Sequence, residues 1–384
     1  MDSMEVKNQF EHHYGKVEVA VRAPGRINLI GEHTDYNDGL VLPAAIDREL
    51  SIMIRANGQA VWRLSALDLS ATATIALDQT SVPEASWATY FYGLMQALKA
   101  KGYDFGGIDC ALGGTIPVGA GLSSSAAICC GFVFGLDQLY GWGMSRLEMA
   151  KIAQSAEHAV GINCGLMDQY AVLFGQDGQV IQLDCRVDRH RYFPVDMGDY
   201  QLVLFNSMVS HSLAESGYND RRASCEKVLA HIQKAHPEIL SVRDISFDLL
   251  QRFEGQLSAV DLQRVTYVLE ENERVRQASK ALAEGRLADF GQLLYASHEG
   301  LSKKYEVSCE ELDFLVDFVR NAFPSEVLGA RMMGGGFGGC SINLIDKGAV
   351  DLVTQAVQKA YQEKYQILPD AHQVSIRDGV SLMG

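Results

Sequence analysis

A polar segment near the N-terminus, residues 23–43, carries side chains that could bind a sugar. Its sequence, APGRINLIGEHTDYNDGLVLP, is expected to form one loop between two apolar strands, and it contains Arg26, Asn28, Glu32, His33, Asp35 and Asn37. Carboxylates and imidazoles at this spacing can accept from and donate to the several hydroxyls of a sugar. A solvated surface loop is the alternative, but it does not explain the apolar Ile27, Leu29 and Ile30 that are threaded between the polar residues.

A second segment, residues 115–127, has the composition of a phosphate-binding turn. Its sequence, TIPVGAGLSSSAA, indicates a strand, a glycine-rich turn and the start of an apolar helix. Gly119 and Gly121 would let the backbone approach an anion, and the free N–H groups of the helix start would point at it. Three hydroxyls follow, those of Ser123, Ser124 and Ser125, and one of them could ligate a metal. A glycine turn with serine N-caps is the simpler interpretation of this segment taken alone.

Other nucleotide-binding motifs do not fit the chain. No Gly-Lys-Ser/Thr closes the second segment, and the His-Arg-Asp loop of protein kinases is absent from the sequence. The glycine run at residues 334–339, GGGFGG, formally matches GxGxxG, but the following CSINLI indicates a strand and not the helix of a dinucleotide fold. Close passage of the backbone past a ligand and a packing crossover both remain open as reasons for this run.

Together the three segments resemble the three motifs of the GHMP kinases. The run GEHTDY at residues 31–36 is similar to the sugar signature of the galactokinase branch of that family. Further matches follow in order along the chain: NCGLMD at residues 163–168, YNDRR at 218–222, Ser297-His298, and EELD at 310–313. The resemblance implies transfer of the γ-phosphate of ATP to the anomeric hydroxyl of galactose with Mg²⁺ as cofactor, giving galactose 1-phosphate and ADP.

The same resemblance implies a role for each matching residue. Arg26 and Asp168 match the catalytic pair. The implied galactose contacts are Glu32, His33, Thr34, Asp35, Asp168 and Tyr218. The implied ATP contacts are Ser65, near the start of the adenine pocket, and the phosphate cradle Gly119, Ala120, Gly121, Leu122, Ser123, Ser124 and Ser125. The implied Mg²⁺ ligands are Ser125 and Glu157.

Physical chemistry qualifies two of these roles. Phosphoryl transfer has a loose transition state, so positioning and charge neutralisation provide most of the catalysis, and Arg26 suits that task. Asp168 would accept the proton of the sugar hydroxyl, but a neighbouring guanidinium favours its ionised form and makes it a weaker base.

Mg²⁺ prefers oxygen ligands, so a hydroxyl, a carboxylate and ATP oxygens form a reasonable set. Glu157 taken alone would be read as a solvated carboxylate on an amphipathic helix.

Two other functions remain open beside phosphorylation of galactose. A related kinase could act on an N-acetylated or other sugar, because discrimination depends on hydroxyl geometry that a sequence does not display. A galactose sensor without catalysis could share the fold. The sensor would require a damaged phosphate loop, whereas residues 119–127, Arg26 and Asp168 are all present.

The elements that must position these residues indicate an α+β protein. Short strands and helices alternate irregularly in the first half, and long amphipathic helices dominate the second. The resemblance implies an S5-like N-terminal domain and a ferredoxin-like C-terminal domain with the active site in the cleft between them. No segment of the sequence has the composition of a flexible linker. The domain boundary is therefore expected at a tight junction near Arg189, giving domains at residues 1–189 and 190–384.

Composition and charge limit the partners. The 384 residues carry a formal net charge of −15 with 47% hydrophobic residues. An acidic average surface repels nucleic acid and anionic lipid, so neither is expected as a partner. No apolar stretch reaches the roughly 20 residues of a membrane span, and residues 1–10 lack a signal-like apolar block, so a cytoplasmic protein is expected. The sequence leaves the oligomeric state open and is compatible with a monomer.

Overall fold

The computed structural model describes residues 1–117, 121–159, 161, 164–210 and 214–384. The strands in these ranges are β1 (Val19–Asn28), β2 (Leu40–Val41), β3 (Pro43–Ala56), β4 (Val61–Ala66), β5 (Ala71–Ala76), β6 (Ile108–Gly114), β7 (Gln179–Asp184), β8 (Arg189–Pro194), β9 (Tyr200–Ser210), β10 (Val327–Met332), β11 (Gly338–Asp346), β12 (Asp370–Val374) and β13 (Ser381–Leu382). The α-helices are α1 (Ser3–Tyr14), α2 (Ala88–Ala100), α3 (Ser124–Tyr140), α4 (Arg146–Ala159), α5 (Met167–Phe174), α6 (Ala214–Gln233), α7 (Phe247–Gln251), α8 (Ala259–Ala283), α9 (Leu287–Lys303), α10 (Glu310–Ala322) and α11 (Val350–Tyr365). Within the described ranges, no helix is both long enough and apolar enough to cross a membrane.

The first half is built on a six-stranded sheet in the order β13-β1-β3-β6-β4-β5. Its neighbouring strands are antiparallel except for β4 and β6, which pair in parallel. Helices α3 and α5 contact β1 and β3 on one face. Because side chains alternate along a strand, Ile52 and Ile54 of β3 join the main core, whereas Met53 packs with Val6 and Phe10 of α1 on the other face.

The second half contains a four-stranded antiparallel sheet in the order β10-β11-β9-β12. Helices α9 and α10 contact β10, and α8 contacts both α6 and α9. Between the two sheets, β2, β7 and β8 form a small antiparallel sheet. The sheets of both halves are therefore largely antiparallel with helices packed on them, which confirms the predicted α+β class.

One hydrophobic cluster joins the two halves, and a second cluster lies within the second half. The largest buried cluster joins the first sheet and its helices to Leu204 of β9, Ile342 of β11 and Val275 of α8. The boundary expected at Arg189 falls at the first residue of β8, which forms a hairpin with β7. That boundary stays a prediction.

The polar segment is folded differently from the loop that its sequence indicated. Strand β1 continues through Asn28, and its pairing with β3 shifts register between Pro24 and Arg26. Arg26 and Asn28 therefore lie on a strand paired with β3, opposite Ala45 and Pro43. The apolar Ile27, Leu29 and Ile30 are fully buried in the main core, which explains their presence in this segment.

Candidate active site

A cavity of about 280 Å³ brings most of the predicted site residues together. The polar segment supplies one side of it, helices α5 and α6 supply another, and the glycine run completes it. The predicted residues that line it are Arg26, Glu32, His33, Asp35, Asp168 and Tyr218. These residues come from both halves of the chain, so the cavity depends on how the halves pack. Asn163, the first residue of the NCGLMD match, lies outside the described residues.

Arg26 and Asp168 form a two-bonded ion pair at the base of this cavity. Arg26 Nε donates to Asp168 Oδ1 at 2.7 Å, and Arg26 Nη2 donates to Asp168 Oδ2 at 2.7 Å. Burial alone would lower the pKa of Arg26, but the charge and the hydrogen bonds of Asp168 raise this pKa above its usual value. The hydroxyl of Ser123 also donates to Asp168 Oδ2. These three hydrogen bonds fix the orientation of the Asp168 carboxylate in the cavity.

The turn after Glu32 is fixed by side chains that bond to its own backbone. The hydroxyl of Thr34 lies 2.8 Å from the carbonyl oxygen of Gly31 and 2.7 Å from that of Leu40, and it donates to these acceptors. The amide of Asn37 donates to the carbonyl oxygen of His33 at 2.9 Å. Thr34 is fully buried and does not line the cavity. Its role as a sugar contact stays a prediction, while its contacts shape the turn.

His33 occupies an unusual backbone conformation inside an aromatic cluster. Its φ is 62°, in the left-handed region that non-glycine residues seldom adopt, and such strain is often found at functional sites. The ring Nδ1 lies 2.8 Å from the hydroxyl of Tyr36, and the rings of Tyr218 and Tyr305 pack against it. Burial lowers the pKa of His33 to about 3, and the charges of Arg221 and Arg331 act in the same direction. The ring is therefore neutral and can donate or accept.

Asp35 faces the cavity next to other acidic groups. Burial raises the pKa of Asp35 to about 7, and the negative charges of Asp168 and Glu32 act in the same direction. Gly165 lies so close that a Cβ there would be 2.2 Å from Asp35 Oδ2, so only glycine fits beside this carboxyl. A ligand in the cavity could therefore change the protonation state of Asp35.

The second segment lies directly behind the Arg26–Asp168 pair. Gly119 and Ala120 lie outside the described residues, and the adjoining description begins at Gly121. The carbonyl oxygens of Gly121 and Leu122 accept from Arg26 Nη1 at 2.7 Å and from Arg26 N at 3.2 Å. Ser124 is the first residue of α3, and Ser123 precedes it with a left-handed φ of 54°. Ser123 bonds to Asp168 instead of capping the helix, so the simple N-cap interpretation does not hold for its side chain.

Glu157 is a buried carboxylate and not a solvated one. It is 3% exposed on α4 and contacts the start of α3 through a hydrogen bond with Ser125. The amide of Gln169 also donates to it. Burial raises the pKa of Glu157 to about 7, although the bonds from Ser125 and Gln169 oppose that shift. The structure thus places the two predicted Mg²⁺ ligands in contact with each other.

Ser65 lies away from this cluster. It borders a separate cavity of about 250 Å³ beneath α1, together with His13 and Tyr14. Its hydroxyl lies 2.7 Å from the hydroxyl of Tyr14. The structure does not bring Ser65 to the Arg26–Asp168 cavity, and its role in adenine binding stays a prediction.

The glycine run serves both of the purposes that its sequence left open. Gly334 and Gly335 line the cavity, and the N–H of Gly334 donates to Glu32 Oε1 at 2.9 Å. Gly336, with a φ of 84°, packs against Val307, where an added Cβ would lie 2.0 Å from the carbonyl oxygen. Strand β11 follows from Gly338, so the rejection of a dinucleotide fold is confirmed. The first glycines approach the cavity closely and the third is a packing crossover.

Sequence reasoning did not identify several residues of the site. Cys164, Met167 and Asn219 also line the cavity, and all three lie inside or beside motifs already matched. Gln169, the partner of Glu157, follows Asp168 directly. The sequence did offer a signal for Arg331, which is the single charged residue in the otherwise apolar strand β10.

Comparison with known proteins defines the class of this fold and site. The chain matches the family models for the "GHMP kinases N terminal domain" at residues 89–176 and "GHMP kinases C terminal" at residues 278–363. The mevalonate kinase of Methanococcus jannaschii has the same fold, with a TM-score of 0.66, 17% sequence identity, and 95% of this chain and 100% of that chain covered. The fold is therefore that of a GHMP kinase, which confirms the predicted two-domain fold class.

Closer relatives identify the branch. Residues 8–56 match the "Galactokinase galactose-binding signature". The galactokinase of Thermotoga neapolitana is 38% identical over 361 residues, covering 94% of this chain and 99% of that protein. The galactokinase of Staphylococcus saprophyticus is 37% identical over 386 residues, covering 99% of each. A structure of Lactococcus lactis galactokinase complexed with galactose has a TM-score of 0.92, 32% identity and 99% coverage of both chains. The chain belongs to the galactokinase family.

Proposed function

We propose that this protein transfers the γ-phosphate of ATP to the anomeric hydroxyl of galactose, giving galactose 1-phosphate and ADP. The observation that carries the proposal is the Arg26–Asp168 pair, which lies at the junction of the cavity and the second segment. A sugar in the cavity would meet Asp168, and a phosphate held by the second segment would meet Arg26. The complex of the Lactococcus lactis relative with galactose supports the choice of sugar.

The residues proposed to contact galactose offer a mixed set of donors and acceptors. Glu32, Asp35 and Asp168 supply carboxylate oxygens, while Tyr218 and the neutral His33 can donate as well as accept. A sugar hydroxyl both donates and accepts, so this mixture suits several hydroxyls at once. Sites that hydrogen-bond a substrate hydroxyl strongly reject analogues without it, because their buried polar groups are then left unpaired.

ATP is proposed to bind along the second segment. The first turn of α3 provides free N–H groups, and the helix dipole favours an anion there. We assign the phosphates to residues 119–125 and retain Ser65 as a contact of the base. The chain carries a net charge of −15, so the buried Arg26 provides local positive charge that an ATP site needs.

Mg²⁺ is proposed to bind between Ser125, Glu157 and the phosphate oxygens of ATP. Three features of the protein fit such an ion: Glu157 is a buried carboxylate, Ser125 contacts it, and Gln169 Oε1 is a buried oxygen without a hydrogen-bond partner among the described residues. Oxygen atoms of this kind suit Mg²⁺, which retains several of its water molecules. When bound, the ion would neutralise charge on the phosphate oxygens.

The residues of the chain then divide the chemistry between them. Asp168 would orient the anomeric hydroxyl and accept its proton as the new bond to phosphorus forms. Three donated hydrogen bonds hold its carboxylate in one orientation, so positioning is its larger contribution. Arg26 would hold Asp168 in place and stabilise negative charge on the transferred phosphoryl group.

One assay tests the function and its alternatives together. Release of ADP, measured with a coupled enzyme system, should be rapid with galactose and much slower with N-acetylgalactosamine, glucose, homoserine and mevalonate. Preference for N-acetylgalactosamine would indicate the related sugar kinase. Galactose binding without ADP release would indicate the sensor, and neither binding nor turnover of any sugar would overturn the proposal.

A further inference from the structure

Arg331 is a fully buried arginine with no place in the chemistry described so far. It lies near the end of β10, in the second half of the chain, and its side chain has 0% exposure. Arginine is almost never fully buried unless its charge and its donors are satisfied, because desolvation of an unpaired cation is costly. The contacts of Arg331 should therefore reveal what it does.

Three of its partners are backbone carbonyl oxygens at the junction of the two halves. Arg331 Nε donates to Leu29 O at 2.7 Å, and Nη2 donates to Asn28 O. Nη1 donates to Met332 O at 2.7 Å. The guanidinium thus joins β10 to the end of β1, immediately before the turn that carries Glu32 and His33.

The fourth partner is a residue of the cavity itself. Arg331 Nη2 lies 3.0 Å from Glu32 Oε1, and the N–H of Gly334 donates to the same oxygen at 2.9 Å. Glu32 is 2% exposed. Both donors bind one oxygen, so the carboxylate is fixed in orientation by two groups from the second half.

We propose that Arg331 is a positioning residue for sugar recognition. It holds the Glu32 side chain turned so that the other oxygen, Oε2, accepts from one hydroxyl of the sugar. The proposal rests on the function proposed above and adds to it a residue that does not touch the substrate. Because the planar guanidinium bonds to Glu32 and to the backbone before it at once, it fixes both the side chain and its attachment point. Loss of Arg331 should therefore reduce discrimination at one sugar hydroxyl and leave the others unaffected.

The test uses galactose and its 2-, 3-, 4- and 6-deoxy analogues. For each sugar, kcat/KM is measured by ADP release and the dissociation constant by calorimetry, first with the unmodified protein and with Glu32→Met. The deoxy analogue that lacks the partner of Glu32 should lose about 10–100-fold in the unmodified protein, as expected for a hydrogen bond to a charged group. In Glu32→Met the same penalty should fall below about threefold.

Arg331→Met should then reproduce the behaviour of Glu32→Met. The penalty for that one deoxy sugar should shrink by about fivefold or more, while the other penalties and the KM for ATP change by less than about threefold. Arg331→Lys, which keeps the charge without the planar fork, should restore part of the penalty. The double variant Glu32→Met/Arg331→Met removes both buried charges and should match Glu32→Met.

Arg243→Met is the matched control. Arg243 also joins the halves, since it donates to Asp38 O at 2.7 Å and pairs with Asp184, but it does not line the cavity. This variant should change stability without changing any deoxy-sugar penalty.

Two results with a folded Arg331→Met would overturn the proposal. One is the full penalty for that deoxy sugar, and the other is an equal loss of kcat/KM on every sugar. If Arg331→Met does not fold, the double variant replaces it in the test. A kcat/KM at least tenfold below that of Glu32→Met would then overturn the proposal. Absence of turnover with retained binding would refute the proposed function instead, and the calorimetric penalties would still test Arg331.

Discussion

Asp35 provides the sharpest physical test of the site, because its carboxyl should lose its proton at a pH far above the usual range for an aspartate. Its surroundings raise its pKa from 3.8 to about 7. Among the described residues, the charged or titratable groups that interact with it are Asp168, Glu32, Tyr36, Cys164, Cys185 and Tyr218. None of these groups is a cation, so in the absence of substrate the ionised form is favoured by backbone hydrogen bonds at Asp35 and Tyr36 and not by an ion pair. The perturbation proposed is Asp35→Asn, which imitates the protonated acid.

The size and sign of the effect follow from proton linkage. Raising the pKa from 3.8 to about 7 corresponds to about 4 kcal/mol, at about 1.4 kcal/mol for each tenfold change in proton affinity. Between these values the folded protein keeps a proton that the unfolded chain has lost. The contribution of Asp35 to the free energy of unfolding is therefore complete below about pH 4 and is lost as the pH rises through about 7. Asp35 is partly exposed to the cavity, so screening by water reduces the expected change between about pH 5 and 8 to about 1–3 kcal/mol.

The assay is urea unfolding of the ligand-free protein and of Asp35→Asn at about pH 5, 6, 7 and 8. The variant should become more stable relative to the unmodified protein as the pH rises, by about 1–3 kcal/mol in total. Other titrating groups, such as His33 and Glu157, are present in both proteins and cancel in the difference. A difference that stays constant with pH would refute the reasoning.

Asp38→Asn is the control for this experiment. Asp38 lies three residues further along the same segment and does not line the cavity. Its φ of 57° is in the left-handed region, which asparagine tolerates well. The stability difference for Asp38→Asn should therefore not follow the titration expected of Asp35.

Three further outcomes are expected. Asp168→Asn should lower kcat by about 10²–10⁴-fold in the ADP-release assay while calorimetry shows galactose binding within about threefold; near-normal kcat would exclude the assigned role. Glu157→Ala should raise the Mg²⁺ concentration for half-maximal activity by about tenfold or more, and an unchanged Mg²⁺ dependence would contradict its assignment. Gly329→Ala would place a Cβ 2.2 Å from the carbonyl oxygen of Gly291 and should lower the free energy of unfolding by about 1–3 kcal/mol or more. Gly106→Ala, with its nearest contact at 3.7 Å, should be close to neutral in the same urea titration.

The sequence predicted which residues lie together in the cavity better than it predicted the path of the backbone. Arg26 and Asp168 could be paired only through resemblance, since 142 residues separate them, and the structure joins them by two hydrogen bonds. The polar segment was expected to be a loop because its polar residues lie between two apolar strands. It begins as a strand because β3 pairs with it, and such pairing between segments is not visible in local composition.

Burial was the property that the sequence conveyed least. Glu157 lies on a helix whose pattern gives no warning that α3 and α5 enclose it, and it is 3% exposed. For Arg331 the sequence indicates burial, because a charge inside an apolar strand needs a buried partner, but it does not identify that partner. The partner, Glu32, is 299 residues away. Only packing of the two halves could identify either environment.

The four acidic groups of the site fall into two kinds, and the difference suggests how the site uses charge. Asp168 and Glu32 each pair with a buried arginine, Arg26 and Arg331 respectively. Among the described residues, Asp35 and Glu157 have no ion pair with a basic side chain, and burial raises the pKa of each to about 7.

The paired carboxylates are fixed before any ligand arrives, as orienting groups must be. The other two lie where we propose that ligands supply compensation, from sugar hydroxyls at Asp35 and from a cation at Glu157. Leaving them without an ion-pair partner lowers the stability of the empty protein at neutral pH. It also means that each ligand, by favouring the ionised form of one carboxyl, stabilises the folded protein at neutral pH.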